Sequence, residues 1–215
     1  YNLDPARLAA AITPRTKALS VVHYLGMPVD MGRIRSIADK HGLFVVEDCA
    51  LAIGSYFRGI HAGLHGDIGL FSFYPVKHMT TLEGGMALSK HADVLTKLTR
   101  QRAFGVDRTH RERAIAGQYD VDAFGFNYRM NELQAAVGIE QVKRLDCFLA
   151  ARKANYDTIA AGVRDLAHVV EVLEDAGHAA QDRGRDRLAL VGLEGDRADE
   201  EHVVGQAGDA GVRMT

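Results

Sequence analysis

The segment ALSVVHYLGMPVDMGRIRSIADKHGLFVVED, residues 18–48, decides the fold. Ala18 to Tyr24 is a short apolar run containing Val21 and Val22, and Gly26 and Pro28 behind it supply turn chemistry, so it reads as a buried strand. From Asp30 to Lys40 the apolar residues Met31, Ile34, Ile37 and Ala38 recur at helical spacing, with Asp30 placed to cap the start and Gly42 to stop the end. Leu43 to Val46 is again continuous and apolar. Strand, helix and strand in this order make a βαβ unit, and unbroken apolar strands predict a mostly parallel α/β sheet sandwiched by helices.

The pattern extends outward from there. Ile68 to Phe73 reads as a further strand, Gly85 to Leu88 as a short one after the Gly84-Gly85 turn, and Ala92 to Arg102 as a helix. Between Ala103 and Phe126 the periodicity dissolves into a long loop rich in Arg, Asp and Gly. Asn131 to about Val163 is helical, carrying Leu133, Ala136, Val137, Val142, Leu145, Phe148 and Leu149 without an internal proline. Ala167 to Val172 and Leu188 to Leu193 are expected as strands and Ala198 to Ala210 as a helix, the beginning of a smaller α/β domain. The division expected is residues 1–145 as a partial large domain and 146–215 as a connecting helix with a partial small domain. The chain begins at Tyr1 and stops after Met214-Thr215, and it reads as a fragment.

Composition narrows the function. A formal charge of -2 on a chain with 25% charged residues is no polyelectrolyte signature, which argues against nucleic acid as a partner. No apolar run approaches the roughly 18 residues of a membrane span, and no basic-then-apolar leader opens the chain. Cys49 and Cys147 lie far apart without metal-ligand spacing, so a reduced, cytoplasmic setting is expected.

Ligands of an open parallel sheet collect beyond the carboxyl ends of its strands. Glu47-Asp48 closes one predicted strand and Ser72-Phe73-Tyr74-Pro75-Val76-Lys77 follows another, so an acid and a lysine arrive at one edge. Lysine is nucleophilic when its pKa falls or when it is held as an imine with a carbonyl cofactor, and pyridoxal phosphate offers that carbonyl. The same cofactor needs an acidic partner for its pyridine nitrogen. Taken alone, however, the carboxylate is equally a helix cap and the lysine a solvated charge.

The surrounding residues distinguish the two. Val45-Val46-Glu47-Asp48-Cys49-Ala50, then Gly66-Asp67-Ile68-Gly69-Leu70-Phe71-Ser72-Phe73-Tyr74-Pro75-Val76-Lys77-His78-Met79-Thr80-Thr81-Leu82-Glu83-Gly84-Gly85, then Gly125-Phe126-Asn127-Tyr128-Arg129-Met130-Asn131-Glu132-Leu133-Gln134-Ala135-Ala136 closely resemble the DegT/StrS family of fold-type-I, pyridoxal-phosphate-dependent sugar aminotransferases. The resemblance runs from about Leu3 to Val163. It implies that Lys77 is the Schiff-base lysine, that Asp48 salt-bridges the ring nitrogen, and that Ser72 binds the cofactor phosphate. It also implies that Asn127 reaches a phosphate across a subunit interface, hence a homodimer. The implied reaction moves an amino group from an amino acid, glutamate by resemblance, to a nucleotide-linked keto-deoxysugar. Alternatives are a sugar dehydratase of the same family, in some of which histidine replaces the lysine, and a truncated non-catalytic paralogue.

Two departures concern the ring oxygen of the cofactor: Leu51 stands where the family often has Gln, and Ile53 where it often has His. Leucine cannot make the hydrogen bond that the amide would. The family's amino-terminal segment, with its phosphate-binding turn and ring-stacking aromatic, has no counterpart before Tyr1, so weak cofactor binding by the chain itself is expected. His61 and His65 could be mistaken for metal ligands, but the glycines between and after them argue for a polar loop and no metal. Cys49 reads as a packing residue. Arg100, Arg102, Arg108, Arg111 and Arg113 form a group suited to a nucleotide diphosphate or to plain solvation, and Arg129 reads as a structural or interface residue.

Overall fold

The computed structural model describes residues 2–107, 114, 115, 117–163 and, for the backbone alone, 202–205. It opens with a short helix, α1 (Pro5–Ala11), that periodicity does not announce. Its start is specified locally: the Asp4 carboxylate accepts from Ala6 N at 2.8 Å, and Pro5 occupies the first helical position, where no backbone donor is needed. The expected βαβ unit follows as β1 (Ala18–Val22), α2 (Met31–His41) and β2 (Phe44–Asp48). Asp30 caps α2 through Arg33 N at 3.0 Å. Gly42 closes it in the left-handed conformation, φ 63°, its N–H donating back to Ala38 and Asp39.

Two-residue strands β3 (Tyr56–Phe57) and β4 (Ile60–His61) pair as an antiparallel hairpin. β5 (Ile68–Ser72), β6 (Gly85–Ser89) and, after α3 (Ala92–Gln101) and α4 (Glu132–Val163), β7 (His202–Gly205) complete the main sheet in the order β1-β2-β5-β6-β7. β1, β2 and β5 are parallel, β6 runs against β5, and β7 runs against β6, so among the described strands of this main sheet β6 alone opposes the common direction. The helix expected over Ala198–Ala210 is corrected here. Its centre is strand, because β-branched Val203 and Val204 suit a pleated ladder while Gly205 and Gly208 weaken a helix. The strands expected over Ala167–Val172 and Leu188–Leu193 lie outside the described residues.

One face of the sheet carries the core. Leu19 and Val21 of β1 and Val45 of β2 pack with Leu8 of α1 and with Met31, Ile34 and Ala38 of α2. Each of these Leu, Val, Ile and Met side chains, fully buried, contributes about 1.5–3 kcal/mol. A second cluster joins Phe71, Phe73 and Met79 to Met130 and to Leu145 of α4. The α4 start is fixed reciprocally, Asn131 Oδ1 accepting from Gln134 N at 2.9 Å and Gln134 Oε1 from Asn131 N at 3.0 Å. Gly69 is required on β5 because a Cβ there would sit 2.4 Å from the Gly63 carbonyl oxygen. The opposite face is open toward the carboxyl ends of β1 and β5 among the described residues, where Val22 is 46% and Leu70 39% exposed.

Candidate functional site

Alternation along β2 sends its two terminal carboxylates to opposite faces. Glu47 points into the core and is wholly buried. It accepts from His23 Nε2 at 2.9 Å, from Gly63 N at 2.9 Å and from Gly66 N at 2.5 Å. Because Val29 N donates to His23 Nδ1 at 3.2 Å, the ring hydrogen lies on Nε2 and the imidazole donates to the carboxylate. Burial pushes the Glu47 pKa upward, but the bonds from His23, Gly63 and Gly66 prevail and hold it below the ordinary glutamate value. Glu47-Asp48, a single acidic pair in the sequence, is divided by the structure into a core group and a surface-facing one.

Asp48 is the surface-facing one. The register Val22, Asp48, Leu70 across three parallel strands puts its half-buried carboxylate on the open face, where it accepts from Ala50 N at 2.9 Å. Ser72 lies two residues beyond Leu70 on that face, at the end of β5, its Oγ accepting from Tyr74 N at 3.4 Å. Lys77 follows in a turn closed by Lys77 N donating to Tyr74 O at 3.0 Å, and is half-buried. The loop is held by Phe73 N to Gly84 O (2.9 Å), Thr81 N to Phe73 O (3.0 Å) and Thr80 N to Gln141 Oε1 of α4 (3.2 Å). Asp48 and Ser72 therefore end adjacent strands at one sheet edge, and the Lys77 turn follows the second of them.

Asn127 is carried separately. Phe126 N and Tyr128 N donate to Gln101 O and Arg102 O at the end of α3, and the exposed Asn127 Oδ1 accepts from Arg129 Nε at 3.0 Å. None of the hydrogen bonds of the described residues joins it to Asp48, Ser72 or Lys77. Arg129 also lies over the Phe104 ring, 4.8 Å from its centroid.

The other groups settle into packing. His61 Nε2 accepts from Gly54 N at 2.9 Å and its Nδ1 meets Ala62 O, while His65 Nε2 bonds Ile60 O at 3.2 Å, so the two rings serve different backbone groups. A metal-compatible group among the described residues, His23, Glu47 and Cys49, is buried. Its His and Glu are already hydrogen-bonded, and burial first, with Glu47 and Asp48 adding, pushes the Cys49 thiol well above its ordinary value. Ile53 packs against the second core cluster. Arg100 pairs with Asp122 at 2.8 Å; Arg108, Arg111 and Arg113 lie outside the described residues.

A mostly parallel α/β sheet with a lysine loop leaving β5 beside an acid ending β2 defines a class, the large domain of fold-type-I pyridoxal-phosphate proteins. Within that class, this chain belongs to the DegT/DnrJ/EryC1/StrS aminotransferase family, which it matches over residues 1–213. It is similar to a GDP-perosamine synthase of Caulobacter vibrioides, 44% identical over 153 residues that cover 71% of this chain and 39% of the relative. It is also 34% identical over 184 residues to a dTDP-4-dehydro-2,6-dideoxy-D-glucose 3-dehydratase of Saccharopolyspora spinosa, covering 77% and 40% of the two chains. The solved aminotransferase of Psychrobacter cryohalolentis superposes with a TM-score of 0.72 at 37% identity, over 78% of this chain and 43% of that one. The chain thus spans about two fifths of the length of the curated relatives it matches. No helix among the described residues is long and apolar enough to cross a membrane.

Pyridoxal phosphate is the cofactor of this family, and the donor set fits it. An amine, a carboxylate with one hydrogen bond and a hydroxyl in a long, weak one are groups with bonding capacity to spare.

Proposed function

We propose that this protein is a pyridoxal-phosphate-dependent aminotransferase that moves an amino group from an amino acid, glutamate in the first instance, to a nucleotide-linked keto-deoxysugar. The observation carrying the reading is the origin of Asp48 and Ser72 on adjacent strands and one open face, with the Lys77 turn directly after. Family membership and the similarity to a GDP-perosamine synthase support it.

The cofactor, when bound, supplies an aldehyde for a lysine amine and an aromatic ring that accepts electron density from the donor's α-carbon. Lys77 Nζ is the amine, and once released it takes a proton from the α-carbon and returns it elsewhere. The Asp48 carboxylate, anchored by Ala50 N, keeps a proton on the ring nitrogen. Ser72 Oγ can donate to the phosphate if it gives up its long contact with Tyr74 N. Asn127, on a separate exposed segment, is assigned to the phosphate of a second subunit, which makes the working form a homodimer. The setting proposed is the cytoplasm.

The 3-dehydratase relative favours a second reading, loss of water from a related sugar. Retention of Lys77 supports amino transfer over it. Product analysis separates them: glutamate consumed in step with aminated sugar supports the first, and water lost with glutamate untouched supports the second. Lys77→Ala is expected to abolish turnover, and Asp48→Asn to slow it by roughly a hundredfold or more. Equal activity of Asp48→Asn and the unaltered protein would remove the role given to Asp48.

A further inference from the structure

Lys77 lies in a loop pinched at its base. Phe73 O, where the loop leaves β5, accepts from Thr80 Oγ1 at 2.9 Å and from Thr81 N at 3.0 Å, so residues 74–79 form a loop with a closed neck. Just past the neck the chain is strained. Leu82 adopts φ 70° and is kept there from both sides: its N–H donates to Thr80 Oγ1 at 2.9 Å, and Glu83 O accepts from buried Thr81 Oγ1 at 2.7 Å. A conformation so costly for a side chain with a Cβ persists only where its surroundings over-determine it, and such places cluster at functional sites.

Part of those surroundings belongs to α4. Gln141 Oε1 accepts from Thr80 N at 3.2 Å and Gln134 Nε2 donates to Glu83 O at 2.9 Å, so the two amides grip the chain before and after Leu82. Two turns apart, they share one face of the helix, and Gly138 lies between them on that face. A Cβ at Gly138 would come to 3.0 Å from Thr81 Cγ2, inside comfortable carbon contact, so the glycine admits the neck that the amides hold. Gln134 also caps α4 through Asn131, which ties the neck to the start of the helix. Met79 completes the attachment, buried in one cluster with Leu145 of α4.

We propose that Gln141 and Gln134 are positioning residues for Lys77: by clamping the neck to α4 they fix where its amine is presented. A misplacement of about 1 Å, caused far from the reacting atoms, can slow a reaction about a hundredfold. The work given to the amine rests on the aminotransferase reading; the clamp does not.

Two readouts on the full chain test this. Amide hydrogen exchange at Thr80 needs no cofactor, and the rate at which borohydride traps a pyridoxyl group on Lys77 after mixing with pyridoxal phosphate reads the amine. Gln141→Leu is expected to speed exchange at Thr80 about tenfold, the scale of one hydrogen bond, and to slow trapping at Lys77 by about tenfold or more. Gln141→Glu keeps an acceptor oxygen at the same reach and should restore both to within about twofold. Ile34→Val loosens the other core cluster and should move neither by more than about twofold, which separates positioning from a general loss of stability. The clamp is overturned if Gln141→Leu leaves exchange at Thr80 unchanged, if Gln141→Glu fails to restore it, or if Ile34→Val matches Gln141→Leu. The positioning role is overturned if exchange rises while Lys77 is trapped at its original rate. Trapping only on other lysines in every variant removes the aminotransferase reading instead, and the clamp is then decided by exchange at Thr80 alone.

Discussion

The two faces of the sheet meet different demands at the end of β2, and the neighbours Glu47 and Asp48 record the difference. On the packed face Glu47 has no exposure and three donors, all from residues that must hold their places for the core to close. On the open face Asp48 has one donor and neighbours, Val22 and Leu70, that remain exposed. A carboxylate with three of its roughly four acceptor sites occupied stabilises a fold; one with a single site used can meet a ligand.

The most direct way to break this contrast is a pair of substitutions. Glu47→Leu strands His23 Nε2, Gly63 N and Gly66 N in the core and is expected to cost about 3–5 kcal/mol in urea unfolding. Asp48→Asn should cost less than about 1 kcal/mol in the same experiment. Similar losses from the two would erase the distinction between the faces. Next in size, Gly69→Ala drives a methyl into the Gly63 backbone beside Glu47 and should cost about 1–3 kcal/mol, because backbone cannot yield as a side chain does.

Acid titration sharpens the comparison further. Burial raises the pKa values of Glu47 and Asp67, but hydrogen bonds outweigh it and hold both below their ordinary values of 4.5 and 3.8. For Asp67 the donors are His91, Val45 N and Arg35. Burial is the main cause holding His61 and His65 below 6.5. In each case the unfolded chain takes up protons that the folded chain refuses, so stability falls as pH falls. The histidine contribution is complete above 6.5 and declines as pH drops below it toward the lowered folded values. The carboxylate contribution is complete above 4.5 and is lost as pH falls through the depressed folded values. Urea midpoints measured across this range should decline in those two stages, and His61→Gln should diminish only the first. A flat profile would mean that the packed face holds no such groups.

The smallest effect is expected on the lysine loop. Leu82 is 52% exposed and sits at φ 70°, a conformation costly for a side chain with a Cβ. Leu82→Gly should raise stability by up to about 1 kcal/mol, relieved strain exceeding the added freedom of the unfolded chain. A loss of stability would show that Leu82 packs in a way its exposure conceals.

How much of this was legible in the sequence depended on the range of the forces involved. The β1-α2-β2 unit could be read because its signals are local, with apolar runs bounded by Asp30 and Gly42. α4 announced itself through length and through Asn131 at its start. β3 and β4 escaped because two-residue strands have no period, and β7 was taken for helix because pairing with β6, absent from local text, decides it. Asp48, Ser72 and Lys77 stood out through flanking motifs. The division of labour between Glu47 and Asp48 did not, since it depends on His23, twenty-four residues away in the chain.

The most direct trial of the account is chemical. The protein loaded with pyridoxal phosphate is treated with borohydride, digested, and its modified peptide mapped. A pyridoxyl group on Lys77 is the predicted result; a group fixed to any other lysine, with Lys77 unmodified, would contradict it.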